Sequence, residues 1–339
     1  MAKRGRAPKG TKSKGKGKSK STIVAKDFRY PGEIRLYWQG VGGVIALFIW
    51  LAVVCIFAVK TENGASTRWD VVAEVLIWPV LAVAICNLLS VRGRQKEFKA
   101  RDAQSRVMSS NYPDVFRALG EFAKLAGMKK APEMFILNED RPFIFTMPAK
   151  GGTIVTSRGL KDGLRPPEFL ALVAHEMGHI IAKHVRTELA IIFIRGANIG
   201  FKVLLVPVTL MSTMMGAWLD AVDYTADRCA FLMTGGNSKL VNAAIVKLAL
   251  LAASSGSKDV SHGLTIEELE GYLSTPGDLA RDQGLMELQV RAAQFISGVA
   301  NLKDRIDSLK EYPSTAQAEV AMAKVAAMLR LPGAAQSGG

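Results

Sequence analysis

The chain has 339 residues, enough for roughly two domains of about 150 residues each or one larger domain with appendages. Hydrophobic residues make up 49% and charged residues 22%, which excludes global disorder and allows a sizeable core. The formal net charge is +14, but residues 1–20 carry nine Lys or Arg and no acid, so the rest holds only +5 and composition argues against a nucleic-acid-binding body.

Residues 1–20 are mostly Lys, Gly and Ser. They predict a solvated, disordered arm, taken with its flank as residues 1–35, that is attracted to anionic lipid. No apolar run follows closely enough to make a secretory signal. From Leu36 to Val59 no residue is charged, and 24 residues exceed the roughly 20 needed to cross a hydrocarbon core. A second run spans 71–91, interrupted by Glu74 and Pro79. Together with Trp38, Trp50, Trp69 and Trp78, the two runs predict a transmembrane helical hairpin over 36–91. Basic residues precede the first run and follow the second (Arg92, Arg94, Lys96, Lys99, Arg101), so both ends are expected on the cytoplasmic side. Residues 92–112 then form a basic juxtamembrane segment. Three cysteines (Cys55, Cys86, Cys229) exclude a disulfide scaffold.

The folded domain is expected over 113–330. It begins with a helix from Val115 to Ala126 and continues with short β runs at Met134–Leu137, Phe143–Met147 and Thr153–Thr156, separated by turn residues. Pro166, Pro167 and Glu168 open a further helix. Residues 260–330 are helical and amphipathic in pattern, and 331–339 form a flexible tail.

That second helix carries His175-Glu176-Met177-Gly178-His179. Two His four apart lie one above the other on a helix face and can share a tetrahedral zinc ion. Glu176 stands at the rim of the same face. Zinc lowers the pKa of a bound water toward about 7, and a carboxylate so placed takes its proton as the water attacks a carbonyl. A third ligand is needed, and Asp220, Asp223 and Asp227 share one face of an otherwise apolar helix downstream. His184, five residues past His179, falls about 140° round a continuing helix and is expected to face away. His262 or Arg228 could stabilise an oxyanion. The uncharged run Val203–Leu219 has no room for two more crossings, so 191–219 is expected to be buried or to lie against the membrane surface.

Over about residues 113–250 the chain resembles the zinc peptidase family that contains HtpX and the CAAX prenyl endopeptidases. The features that carry it are Lys124 to Met128 followed by Ala131-Pro132, the Thr153-Ile-Val-Thr-Ser-Arg-Gly-Leu160 stretch, the Glu168-to-His175 approach to the motif, and His184. The resemblance implies an α+β, mostly helical zincin-like domain with a small β-sheet, preceded here by the N-terminal transmembrane hairpin. It implies one Zn2+ per chain on His175, His179 and Asp223, with Glu176 as catalytic base and Asp227 orienting a ligand histidine. Asp223 stands where the family normally has glutamate, and Arg141-Pro142-Phe143 where it has Asn-Ala-Phe. An extended peptide is expected to add along Phe143, Ile144, Phe145 and Thr146. The resulting expectation is an integral membrane zinc endopeptidase, with its N-terminus and catalytic domain cytoplasmic, cleaving membrane-associated or misfolded proteins. The rival is a membrane scaffold that keeps the fold and cleaves nothing.

Overall fold

A computed structural model describes residues 22–63, 105–148, 151–188, 191, 214–254 and 302–329. The elements in chain order are α1 (Glu33–Asn63), α2 (Pro113–Leu125), β1 (Glu133–Leu137), β2 (Ile144–Met147), β3 (Thr153–Ser157), α3 (Arg158–Gly163), α4 (Pro166–Ala182), α5 (Gly216–Met233), α6 (Ser238–Ser254), α7 (Leu302–Glu311) and α8 (Ala316–Leu329). The described part is mostly helical with one small mixed sheet.

The sheet order is β1-β3-β2, with β3 parallel to β1 and antiparallel to β2, so β2 forms an edge. Alternation along the strands gives it two apolar faces. Met134, Ile136 and Ile154 join the main core, while Leu137, Met147 and Val155 pack with Phe135, Phe143 and Phe145 on the other side.

Helix α4 is the centre of the domain. Pro166 and Pro167 occupy its first turn, where missing N–H groups cost nothing. It ends at Lys183, whose φ of 65° puts the backbone in the left-handed region. Phe169, Leu172, Val173 and Met177 are buried, and α5 and α6 pack against it.

Two boundaries differ from the sequence expectation. The arm expected over 1–35 gives way to folded chain by Thr22: Ile23 and Phe28 are fully buried, each worth about 1.5–3 kcal/mol of transfer energy. Tyr312 donates its hydroxyl to the Asp27 carbonyl at 2.9 Å, and Lys324 pairs with the Asp27 carboxylate at 2.5 Å. Two buried apolar side chains and these polar contacts anchor the strap against α8 and the turn that precedes it. Likewise the segment expected over 92–112 is folded from Ser105, where Val107 and Ile136 exchange backbone hydrogen bonds with Met134 and Ser105 along the free side of β1.

Helix α1 has 31 residues, about 46 Å at 1.5 Å per residue, and its sequence contains the whole uncharged run 36–59. Among the residues whose side chains are described, no helix is long and apolar enough to cross a membrane. The second run, 71–91, and the segment 92–104 lie outside the described residues, as do the tail and His262. Near its start α1 packs on the domain: Leu36 and Tyr37 meet Ile191, Met215, Trp218, Leu219 and Val222. These lie at the described ends of the stretch expected to be buried or against the membrane surface; Ile191, Met215, Trp218 and Leu219 are buried there, while Met214 is exposed.

The start of α4 is fixed electrostatically. Glu168 has no exposed surface and accepts the Arg165 N–H at 3.1 Å, the Arg165 guanidinium, and Lys247 Nζ at 2.8 Å. Burial alone would raise its pKa, but Arg165 and Lys247 outweigh that and hold it at about 2, against an ordinary 4.5. A depressed carboxylate pKa stabilises the fold above the unfolded value and loses that contribution as pH falls through the folded one. Glu168→Gln is therefore expected to lower the melting temperature in detergent at pH 7. The gap should narrow as pH drops from about 4.5 toward 2. A gap that stays constant across that range would contradict the assignment.

Candidate metal centre

The two histidines of α4 present their rings edge to face with centroids 4.8 Å apart, and their Nε2 atoms are separated by 3.1 Å. Two imidazole nitrogens aimed at each other need a proton or a cation between them. A tetrahedral ion about 2.0–2.1 Å from each would set them about 3.3 Å apart. Asp223, on α5, brings Oδ1 to 3.9 Å from His179 Nε2. Among the described residues, His175, His179 and Asp223 form the group of potential ligands, with donor atoms all within 4.8 Å of one another. Asp220 and Asp227 share the helix but are outside that group.

The outer nitrogen of His175 is hydrogen-bonded, which fixes its inner one. His175 Nδ1 lies 2.7 Å from Asp227 Oδ1, so its proton is held on the Asp227 side and Nε2 keeps its lone pair. The Glu188 carboxylate lies 3.1 Å from His179 Nδ1. Burial disfavours a charged His179, but Glu188, then Glu176 and Asp223, outweigh it and push its pKa to about 10. The position thus favours positive charge strongly, as a cation site should. Donor types, spacing and field all fit a divalent metal such as zinc.

Glu176 is buried beside the pair, and its Oε2 accepts a 2.7 Å hydrogen bond from the Thr146 hydroxyl of β2. Of the four strand residues expected to meet substrate, Thr146 therefore reaches the motif directly. Ile144 packs on the main core, while Phe143 and Phe145 stack on the opposite face with ring centroids 5.8 Å apart.

The other expected residues are placed elsewhere. His184 is not on a continuing helix, because α4 ends before it; its Nε2 lies 3.1 Å from Glu33 Oε1. The Arg228 guanidinium is stacked between Tyr30 and Tyr312, at 4.8 and 4.7 Å from their ring centroids, and ties the N-terminal strap to the turn between α7 and α8.

Two residues escaped the sequence reading. Arg305 of α7 grips Asp227 with two hydrogen bonds of 2.7 and 2.8 Å and is itself buried. The signal was present: Leu302, Arg305, Ile306 and Leu309 follow i, i+3, i+4, i+7, so a charge sits on the apolar face. Glu188 had no such signal, because only the left-handed Lys183 turns its short helical segment back toward His179.

Removing Arg305 would leave Asp227 buried with one partner. Arg305→Met is expected to cost about 3–5 kcal/mol of stability. It should also weaken Zn2+ binding by about 10–100-fold, read by chelator competition. Arg305→Lys, which keeps charge but not the two-pronged grip, should fall between; wild-type affinity in both variants would remove Arg305 from the site.

A family model for Peptidase family M48 matches residues 109–312, more than half of the chain. A curated relative, "Protease HtpX homolog" from Thermoplasma acidophilum, is 30% identical over 151 residues, covering 38% of this chain and 46% of the relative. The chain therefore spans less than half the length of that relative. No solved structure matches.

Proposed function

The chain belongs to peptidase family M48, and on that footing we propose that it is a membrane-anchored zinc-dependent endopeptidase that hydrolyses peptide bonds of membrane-associated or misfolded proteins. The observation that carries the reading is the convergence of His175, His179 and Asp223 beside a Glu176 that is held by the sheet's edge strand. His175, His179 and Asp223 would hold one Zn2+, which supplies a Lewis acid that polarises the scissile carbonyl and lowers the pKa of water to about 7.

The protein's own groups do the rest. Glu176 receives the proton of the attacking water on a carboxylate oxygen and passes it to the leaving amine. The Thr146 hydroxyl fixes the rotamer of that carboxylate and ties it to β2. An extended substrate adding beside β2 would run past Glu176, because one strand residue already touches it. Asp227 keeps the His175 proton on Nδ1 throughout, and Arg305 keeps Asp227 ionised. Arg228, held between Tyr30 and Tyr312, would meet the oxyanion only if substrate binding rearranges the chain around it, and His262 lies outside the described residues.

Membrane anchoring is supported by the exposed apolar side chains of α1: Ile34, Trp38, Ile45, Ile49 and Trp50 are all more than half exposed. With 71–91 as its partner span, the basic arm and the catalytic domain would both be cytoplasmic, and the arm would face anionic lipid.

Glu176→Gln is expected to abolish hydrolysis of casein or a quenched peptide by at least about 100-fold while leaving Zn2+ bound, since it removes the base and no ligand. Full activity in that variant would refute the mechanism. Wild type without measurable hydrolysis of any membrane substrate would favour the scaffold instead.

Topology has its own test. A reporter fused after Arg101 should be cytoplasmic, and one inserted at Gly64 should lie on the opposite side. Protease protection of the first and digestion of the second in right-side-out vesicles would agree; the reverse pattern would end the hairpin reading.

A further inference from the structure

Ligation by Asp223 asks a short side chain on α5 to reach two histidines on α4. Aspartate has one C–C bond fewer than glutamate, about 1.5 Å of reach, so α5 must lie close. The helix crossing shows what allows it. A Cβ built on Gly178 would stand 2.9 Å from Ala226 Cα, 2.9 Å from Cys229 Cβ and 3.3 Å from Ala226 Cβ. Rotating a side chain cannot relieve a contact with a backbone carbon. Gly178 is the residue before His179 and lies three after His175, while Ala226 lies three after Asp223. This tight contact between the two helices therefore lies within one turn of His175, His179 and Asp223. Ala226 and Cys229 are both fully buried, so the crossing cannot relax toward solvent.

We propose that Gly178 is a positioning residue for the metal: it sets the α4–α5 separation at which a carboxylate as short as Asp223 meets His175 and His179. The proposal rests on those three residues being the ligand set. A methyl group at 178 would push the contact from 2.9 Å to an ordinary 3.4 Å or more, a shift of half an ångström. Metal–ligand distances tolerate about 0.2 Å. A glutamate at position 223 has the extra bond needed to span the widened gap.

The test measures Zn2+ affinity by chelator competition, with the Co2+ absorption spectrum as a report on coordination, on the full chain in detergent. The variants are Gly178→Ala, Asp223→Glu, their combination and Asp223→Ala. Gly178→Ala should weaken Zn2+ by at least about tenfold, in the range of lost outer support. The combined variant should return to within about twofold of Asp223→Glu alone, whereas independent sites would simply add. Equal weakening by Gly178→Ala with either carboxylate, or no weakening at all, overturns the proposal. Wild-type affinity in Asp223→Ala overturns the ligand set instead. Melting in EDTA identifies a variant that does not fold. Ala226→Ser, which adds one atom to the same crossing from the α5 side, then carries the test with the same expected rescue by Asp223→Glu.

Discussion

Asp227 is a carboxylate with 1% of its surface exposed, and an ion at that depth survives only when its lone pairs are met by fixed donors. Burial pushes its pKa up, yet Arg305 and His175 together hold it well below the usual carboxylate range. Asp227, Arg305 and His175 come from α5, α7 and α4, so one buried anion joins the helix with the motif to two helices whose residues follow it by about 50 and 130 positions. Because the Arg305 guanidinium cannot lose its proton and Asp227 stays ionised, the proton on His175 stays on the Nδ1 side. The tautomer that leaves Nε2 available to a cation is thus a property of the helix packing.

The charge balance around the motif points the same way. Glu176, Glu188, Asp223 and Asp227 crowd the two histidines, and Arg305 offsets one of them. The resulting field is what raises His179, and it is a field that a divalent cation would neutralise. Two of these acids have a hold outside the histidine pair: Glu176 on Thr146 and Asp227 on Arg305. A carboxylate fixed by a sheet hydroxyl keeps its position regardless of what occupies the cation site, which suits a group that moves a proton rather than one that binds the ion.

Local signals were legible where the chemistry is local. The motif spacing, the prolines opening α4 and the three short strands could be read from the sequence because each depends on residues within one turn or one strand. The three Asp on α5 were equally visible, but only the crossing of α4 and α5 separates them: Asp223 meets His179, Asp227 passes behind His175 and Asp220 does neither. The N-terminal strap was misjudged because Ile23 and Phe28 are outweighed in composition by nine basic neighbours, while their partners lie some 100 to 300 residues away. Composition averages over a window, whereas burial is decided side chain by side chain. The 140° expected for His184 applies to a helix that Lys183 has already ended; its ring instead packs 5.8 Å from that of His179 and its Nε2 turns to Glu33.

The foot of α1 follows from the same logic of buried acids. Glu33 is 3% exposed in the first turn of that helix, and its carboxylate is met by His184 Nε2, by the Thr225 hydroxyl and by Arg29 Nε at 3.1 Å. Desolvation is again outweighed, and Glu33 stays below the ordinary carboxylate range. His184 follows the left-handed end of α4, and Thr225 sits on α5 between Asp223 and Asp227. One residue therefore ties the apolar helix to both helices that carry the candidate ligands. Tyr30 adds its backbone N–H to the same Thr225 hydroxyl at 2.9 Å. Separating α1 from the domain would leave the buried His184 ring nitrogen and the Thr225 hydroxyl without the carboxylate they meet, at about 1–3 kcal/mol for each buried polar group left unsatisfied. The apolar helix and the candidate metal centre consequently share one polar joint, so that the orientation of α1 also bears on the orientation of the motif.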